Sequence, residues 1–310
     1  MSEQRTISLP SQDLIQAVGP FPKNLKPVLW DLVNAPEVEL DEIEIAVMPY
    51  MANPGTLKNV RSAPNLRIVQ TQTTGFDGMV QLIGDRANIN TAAGVHAAAT
   101  AEMAIGLAIA SLRGFPQAVR DQQDGRWNPM LWPGLADRTV GLVGVGGIGE
   151  EIRKRLEPFE VNLLRFGTTA RKDEHGEIFS TKDLAERAGE IEVLILIVPL
   201  TDSTMHLVDA ELLARLPDGA TVVNVARGPV VDTQALMAEV TSGRLNVASD
   251  VFDPEPLPTD HPLWQHPNAL IIPHNGGNTA AFFPRMVKLL KSQIAAWSAG
   301  EPGENLVHRS

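Results

Sequence analysis

Cysteine is absent from the 310 residues, which excludes disulfides, thiolate nucleophiles and cysteine-based metal sites. A reducing compartment such as the cytoplasm fits that composition, and no metal is expected. Positive charge is scarce. The 26 Lys and Arg face 37 Asp and Glu, and the net charge of −11 argues against nucleic acid or an anionic membrane as partner. A small anionic molecule stays compatible, because a local basic site can sit within an acidic surface. Long apolar runs are lacking as well. The longest candidate, His96 to Leu112, carries Glu102 and is too short and too Ala-rich to read as a membrane span. The first residues, Met1 to Thr6, have neither the basic stretch nor the apolar core of a secretory signal.

What is present is alternation. In the first ninety residues, Ile7 onward, Pro27 to Trp30, Ile43 to Met48 and Leu66 to Gln70 read as strands. Helices are expected between them, one capped by Ser11 and one around Thr56 to Ser62. A long helix begins near His96 with a cap-like Thr100, and an irregular Gly/Pro/Trp-rich stretch follows from Asp124 to Gly134. Six further strand candidates then appear: Val140–Val143, Val161–Phe166, Val193–Val198, Thr221–Val225, Leu245–Val251 and Leu270–Ile272. They are continuous apolar runs, as strands buried on both faces should be, so a parallel sheet with right-handed crossovers is expected. A last helix, about Phe282 to Trp297, has no strand to pair with in this second unit and is expected to pack on the first.

Gly144-x-Gly146-x-x-Gly149 follows one of these strands and opens a helix, the context that a dinucleotide-binding turn requires. Gly144 permits the tight turn, Gly146 lets the backbone approach a pyrophosphate, and Gly149 allows close helix–sheet packing. An acidic residue near position 167 would hold the ribose hydroxyls of NAD. The chain instead has Gly167, Thr168, Thr169 and Arg171 there, which favours NADP, with NAD as the alternative. The competing reading makes Arg171 and Lys172 a solvated loop.

Three segments at predicted strand ends complete the pattern: Asn224 to Asp232 with Arg227, Asp250 to Pro258 with Glu255, and Pro273 to Thr279 with His274. With His96 to Glu102, the glycine turn and Pro199 to Thr204, this ordered set resembles the D-2-hydroxyacid dehydrogenase family, over roughly residues 66 to 280. The resemblance implies that Arg227 binds a substrate's carboxylate and keto oxygen, that His274 is the acid/base and that Glu255 pairs with it. It also implies cofactor contacts from Gly147, Ile148, Pro199, Thr204, Ala226, Asp250 and Gly276. Chemistry agrees with the catalytic roles. Reduction of a keto group needs a proton donor titrating near neutrality, a carboxylate raises a histidine's pKa, and arginine offers paired donors to a carboxylate. Backbone N–H groups near Thr74 and Gly75 suit a substrate carboxylate, and Tyr50, the only tyrosine, is a candidate for the substrate side chain.

The implied architecture is α/β: a Rossmann-type doubly wound parallel sheet over residues 95–281, plus a smaller flavodoxin-like substrate domain of 1–94 completed by 282–310, with a hinged cleft. The implied activity is hydride transfer between NAD(P)H and a small 2-keto or D-2-hydroxy acid, in a homodimer formed through the cofactor domains. A phosphoglycerate dehydrogenase-like enzyme is an alternative, disfavoured because Thr71 stands where such enzymes usually carry arginine. A non-catalytic corepressor-like dinucleotide sensor is the other, and the intact Arg227, Glu255 and His274 argue against it. Asn275, Asn278 and His96 depart from the family's usual residues and bear on substrate size and polarity.

Overall fold

Strands form wherever an apolar run is bounded by turn residues, and in the computed structural model, which describes residues 4–309, they fall into two units. One unit comprises the residues up to His96 and those from Ala280 onward; the other is Ala97–Thr279. The breaks expected from the sequence lie two residues away in each case, at 94/95 and 281/282.

The first unit contains β1 (Arg5–Leu9), β2 (Leu25–Leu29), β3 (Ile43–Val47), β4 (Ile68–Gln70) and β5 (Asn88–Asn90). They are all parallel and run in the order 2-1-3-4-5, the flavodoxin-like arrangement. β5 is not anticipated by the sequence, since Asn-Ile-Asn is too short to display a period. Helix Gln12–Val18 starts as expected, with the Ser11 side chain accepting the N–H of Leu14. The helix expected at 56–62 is instead one α-turn, Pro54–Leu57, continued by a 3-10 segment, Lys58–Ser62. The helix Phe282–Ser298 presents Met286, Leu290, Ile294 and Trp297 on one stripe, packed against Ile7, Leu9, Leu14 and Val18. Burying Met286, Leu290 and Ile294 contributes about 1.5–3 kcal/mol each relative to exposure. That is why this helix belongs with the first unit.

The second unit contains β6 (Thr139–Val143), β7 (Asn162–Gly167), β8 (Arg171–Asp173), β9 (Gly176–Ser180), β10 (Val193–Leu196), β11 (Thr221–Asn224), β12 (Asn246–Ser249) and β13 (Ala269–Ile271). Their order is β13-β12-β11-β10-β6-β7-β9-β8, parallel except for β8. From β6 the chain winds outward through β7, then crosses back to β10 and winds the other way, so the switch point lies between β6 and β10. The six apolar runs of the sequence are the strands of this sheet; β8 and β9 are additions. Helix Ala97–Leu112 covers one face. Thr100 is not its cap: the helix already begins at Ala97, and Thr100 is buried in its first turn. Among the described residues no single helix is long and apolar enough to cross a membrane. Finally β14 (Leu306–His308) adds an antiparallel edge to β5 of the first unit.

Candidate active site

Every strongly apolar strand of the second sheet ends in a loop that carries polar groups. β6 ends at Gly144, whose φ of +116° favours glycine and whose Cβ would stand 2.5 Å from the Ile197 carbonyl oxygen. A Cβ on Gly149 would stand 2.0 Å from the Gly144 carbonyl oxygen, so the helix Gly147–Leu156 can start this close to the strand only with glycine there. Gly146 and Gly147 are exposed, and a Cβ on either would meet nothing within 4 Å. The first two glycines named are thus demanded by the turn's own backbone, whereas Gly146 and Gly147 leave an open approach to the helix N-terminus. Ile148 is half-buried beside them.

Gly167, the last residue of β7, is buried. A Cβ there would come 2.9 Å from Val145 Cγ2 and 3.2 Å from Arg171 Nη1. Arg171 therefore lies over Gly167, and its Nη1 donates to the Thr169 carbonyl at 3.2 Å. The sequence reading of one short loop through Thr168, Thr169 and Arg171 is corrected here: Thr168 and Thr169 are exposed at the turn, but Arg171 opens strand β8. Its polar, exposed residues carry no apolar alternation by which a strand could be recognised. After β10, Pro199 is exposed, and Thr204 donates its hydroxyl to the Pro199 carbonyl at 2.6 Å while accepting Thr201 N–H at 2.8 Å. Thr204 thus closes its own loop.

β11, β12 and β13 are neighbours, and the loops at their C-terminal ends carry the remaining residues. After β11, buried Asn224 accepts from Ala226 N–H and donates to the Arg227 carbonyl, both at 3.0 Å, shaping the turn that presents Arg227. Arg227 Nη1 donates to the Ala226 carbonyl at 2.7 Å. Gly228 follows because a Cβ would stand 2.0 Å from the Phe252 carbonyl oxygen.

After β12, buried Asp250 accepts Asn275 N–H on Oδ1 at 2.7 Å and Gly276 N–H on Oδ2 at 2.8 Å. Its backbone carbonyl accepts His274 N–H at 2.9 Å. Asp250 is thereby the anchor of the His274 loop, a role that the resemblance did not suggest. Gly276 is equally constrained, since a Cβ would lie 2.6 Å from Asp250 Oδ2. Burial raises the Asp250 carboxyl above its ordinary value, against the pull of the two backbone N–H bonds. His274 itself sits at φ +51°, a left-handed conformation uncommon for a side-chain-bearing residue. The anchoring bonds hold that geometry.

The centre of the arrangement is short. His274 Nδ1 donates to Glu255 Oε2 at 2.7 Å, and Glu255 Oε1 accepts Phe252 N–H at 2.9 Å. A carboxylate only accepts, so the contact assigns the Nδ1 proton and leaves Nε2 as the exchanging nitrogen. The hydrogen bond to Glu255 raises the His274 pKa, opposed by burial, and the charges of Glu255 and Asp250 raise it further while Arg227 lowers it. For Glu255, burial pushes the carboxyl up, but the bonds from His274 and Phe252 and the charges of His274 and Arg227 outweigh it and hold it below the usual range. Arg227, Glu255 and His274 are thus within electrostatic reach of one another.

The structure also resembles proteins of known kind. Residues 105–276 match the model of the D-isomer specific 2-hydroxyacid dehydrogenase, NAD binding domain. The chain belongs to the D-isomer specific 2-hydroxyacid dehydrogenase family. A glyoxylate reductase of Thermofilum pendens is 34% identical over 259 residues, covering 80% of this chain and 76% of that protein. A D-isomer specific 2-hydroxyacid dehydrogenase from Xanthobacter autotrophicus Py2, solved in complex with NADPH and MES, superposes with a TM-score of 0.83 at 26% identity, over 99% of this chain and 98% of that one. An NADPH-dependent glyoxylate/hydroxypyruvate reductase from Sinorhizobium meliloti, solved with citrate, gives 0.82 at 27% identity, over 98% of each chain.

In this dehydrogenase the first unit holds the other residues named from the sequence. Thr74 and Gly75 are half-buried after β4, with Thr74 Oγ1 donating to the Ala92 carbonyl at 3.5 Å and Gly75's carbonyl accepting Thr73 Oγ1 at 2.7 Å. Tyr50 is half-buried, and burial raises its hydroxyl pKa. Its ring stacks on Phe282 at 4.0 Å and on His96 at 5.6 Å, while His96 and Phe282 stack at 5.1 Å. His96 Nε2 is also 2.8 Å from the Gln72 carbonyl oxygen. Sequence reasoning missed this cluster, whose members are 46 and 186 positions apart, and spacing offers no signal for it.

Proposed function

We propose that this dehydrogenase reduces a small 2-keto acid of the glyoxylate or hydroxypyruvate type to the D-2-hydroxy acid, with NADPH preferred over NADH. The observation that carries the reading is the Glu255–His274 contact at 2.7 Å beside Arg227, at the ends of three adjacent strands. Support for the nicotinamide cofactor comes from the exposed, unobstructed Gly146 and Gly147 at the N-terminus of a ten-residue helix, a fit for a pyrophosphate. When bound, the reduced nicotinamide supplies the hydride.

The chain's own residues account for the rest. Arg227 offers paired donors to the carboxylate and polarises the keto oxygen. His274, protonated on Nε2, gives that proton to the oxygen as the carbon accepts hydride. Glu255 fixes the ring and stabilises the imidazolium, and Asp250 holds the loop in place. Gly144, Gly146, Gly147, Ile148 and Gly149 are assigned to the pyrophosphate, and Pro199, Ala226 and Gly276 to the remainder of the cofactor. Thr168, Thr169 and Arg171 take the 2′-phosphate that a residue-167 carboxylate would repel. In the other unit, Thr74 and Gly75 N–H groups and the Tyr50 ring are assigned to substrate.

The cysteine-free, acidic chain suits the cytoplasm. A homodimer through the Ala97–Thr279 unit is supported by the fully exposed Trp127 and Leu131 with Phe115, Val119 and Met130 on one segment. Absorbance of NADPH and NADH, followed with glyoxylate, hydroxypyruvate and pyruvate, tests the activity. No oxidation of either cofactor with any 2-keto acid of that panel would sink it.

A further inference from the structure

We propose that the Arg165–Asp173 ion pair is a positioning device for cofactor selection, holding hairpin β8–β9 so that Arg171 stays over Gly167. The inference rests on the NADPH preference proposed above.

β8 is an edge strand of three exposed residues, Arg171, Lys172 and Asp173, and it pairs only with β9. β9 is anchored in the sheet through β7, but β8 itself carries no apolar side chain and has a single ladder partner. Beyond that ladder, charge ties it. Asp173 Oδ1 and Oδ2 accept from Arg165 Nη2 and Nη1 at 2.7 and 2.8 Å, and Oδ1 also accepts His175 N–H at 2.8 Å within the turn to β9. Arg165 lies on β7, with its side chain only 6% exposed.

Register makes the geometry specific. Arg165 pairs with Ile178 of β9, which pairs with Arg171 of β8, and Gly176 pairs with Asp173. Paired residues share a face, and so do residues two apart on one strand. Arg165, Gly167, Arg171 and Asp173 therefore all stand on one side of the sheet. Gly176, between the two charges, has no side chain, and a Cβ there would approach to 4.0 Å of Arg165 Nη2. The Arg165 guanidinium reaches across it to Asp173, while two residues further along β7 Gly167 leaves the space over which Arg171 lies.

Stability alone does not single out the pair. An ion pair with one partner buried, as Arg165 is here, is often no more stabilising than apolar residues of similar volume, and the best-attested use of such pairs is to specify register. Here the register that is specified is that of the strand bearing Arg171, whose guanidinium lies beside Gly167.

The test uses the full chain and two probes, 2′,5′-ADP and 5′-AMP, with affinities measured calorimetrically. Asp173→Ala alone strands a buried guanidinium and can unfold the unit, so the informative variant is Arg165→Met with Asp173→Ala, compared with Arg171→Ala. Wild type is expected to bind 2′,5′-ADP at least about tenfold more tightly than 5′-AMP. Arg171→Ala abolishes that ratio, and the double variant loses most of it while 5′-AMP affinity and the thermal melt stay close to wild type. A double variant that melts like wild type and keeps the full ratio overturns the proposal. Equal loss of both ligands overturns it too, because the pair is then merely structural. A wild type with no preference for 2′,5′-ADP instead overturns the NADPH reading itself, and this inference with it.

Discussion

Replacing Glu255 with glutamine isolates the contact on which the proposed chemistry turns. The size is nearly unchanged, and an amide oxygen can still accept Phe252 N–H as Glu255 Oε1 does at 2.9 Å. The amide nitrogen then faces His274 Nδ1, where a carboxylate oxygen stood at 2.7 Å. A donor facing Nδ1–H is repulsive, so neutral His274 shifts its proton to Nε2 and the imidazolium loses its counter-charge. A charge-assisted hydrogen bond contributes about 1.5–3 kcal/mol when well shielded. His274 and Glu255 side chains are 44% and 37% exposed, so solvent screening brings this nearer to about 1–1.5 kcal/mol. That predicts a fall in kcat/KM for keto-acid reduction of roughly five- to tenfold near neutrality.

The pH profile carries the sign. Reduction needs the imidazolium, so wild-type rate is full below the His274 pKa, which Glu255 raises, and declines as pH rises through it. Oxidation of the hydroxy acid needs neutral imidazole and rises through the same pKa. In Glu255→Gln both limbs move to lower pH, because the largest cause of the upward shift is gone. Glu255 is held below the usual carboxylate range, so it stays ionised across the assay and contributes no limb of its own. Initial rates of NAD(P)H consumption with the keto acid, and of NAD(P)H formation with the hydroxy acid, from about pH 5.5 to 9 measure this. A variant whose profile superposes on wild type, with rates within about twofold, would refute the reasoning.

Substituting His274 with alanine removes the donor and should lower kcat by about 10²–10⁴ with cofactor affinity nearly intact, read from turnover and a binding titration; near-full turnover would remove His274 from the mechanism. Arg227→Lys keeps the charge but not the two-pronged geometry, so both KM and kcat should suffer, and full activity would mean that a point charge suffices. Gly149→Ala places a Cβ 2.0 Å from the Gly144 carbonyl oxygen, a backbone collision that cannot relax by a rotamer change. It should destabilise by at least about 1–3 kcal/mol in thermal melts, whereas Gly147→Ala, with open space, should cost the fold little and act on cofactor affinity instead.

Much of the molecule was legible because burial on both faces leaves an unambiguous trace. The apolar runs at Val140, Val193 and Thr221 become strands β6, β10 and β11 almost residue for residue, and the glycine spacing after β6 is a backbone requirement written directly into composition. Arg227, Glu255 and His274 could be singled out because each follows a recognisable strand and their order along the chain resembles that of a known family, which implied their roles. Edge structure left no such trace. β5 and β14 are three residues each, and β8 is wholly exposed, so neither period nor hydrophobicity distinguishes them from loops.

The sequence by itself therefore determined the α/β class and the glycine turn, and its resemblance to a known family named the side chains proposed to bind, polarise and protonate. Tertiary structure alone decided which of them touch. It brought His274 to Glu255 across 19 positions, turned Asp250 into the anchor of the His274 loop and stacked Tyr50 on Phe282. Those pairings depend on strand order and register, long-range quantities set by how the whole sheet packs, and no stretch of residues read in isolation contains them.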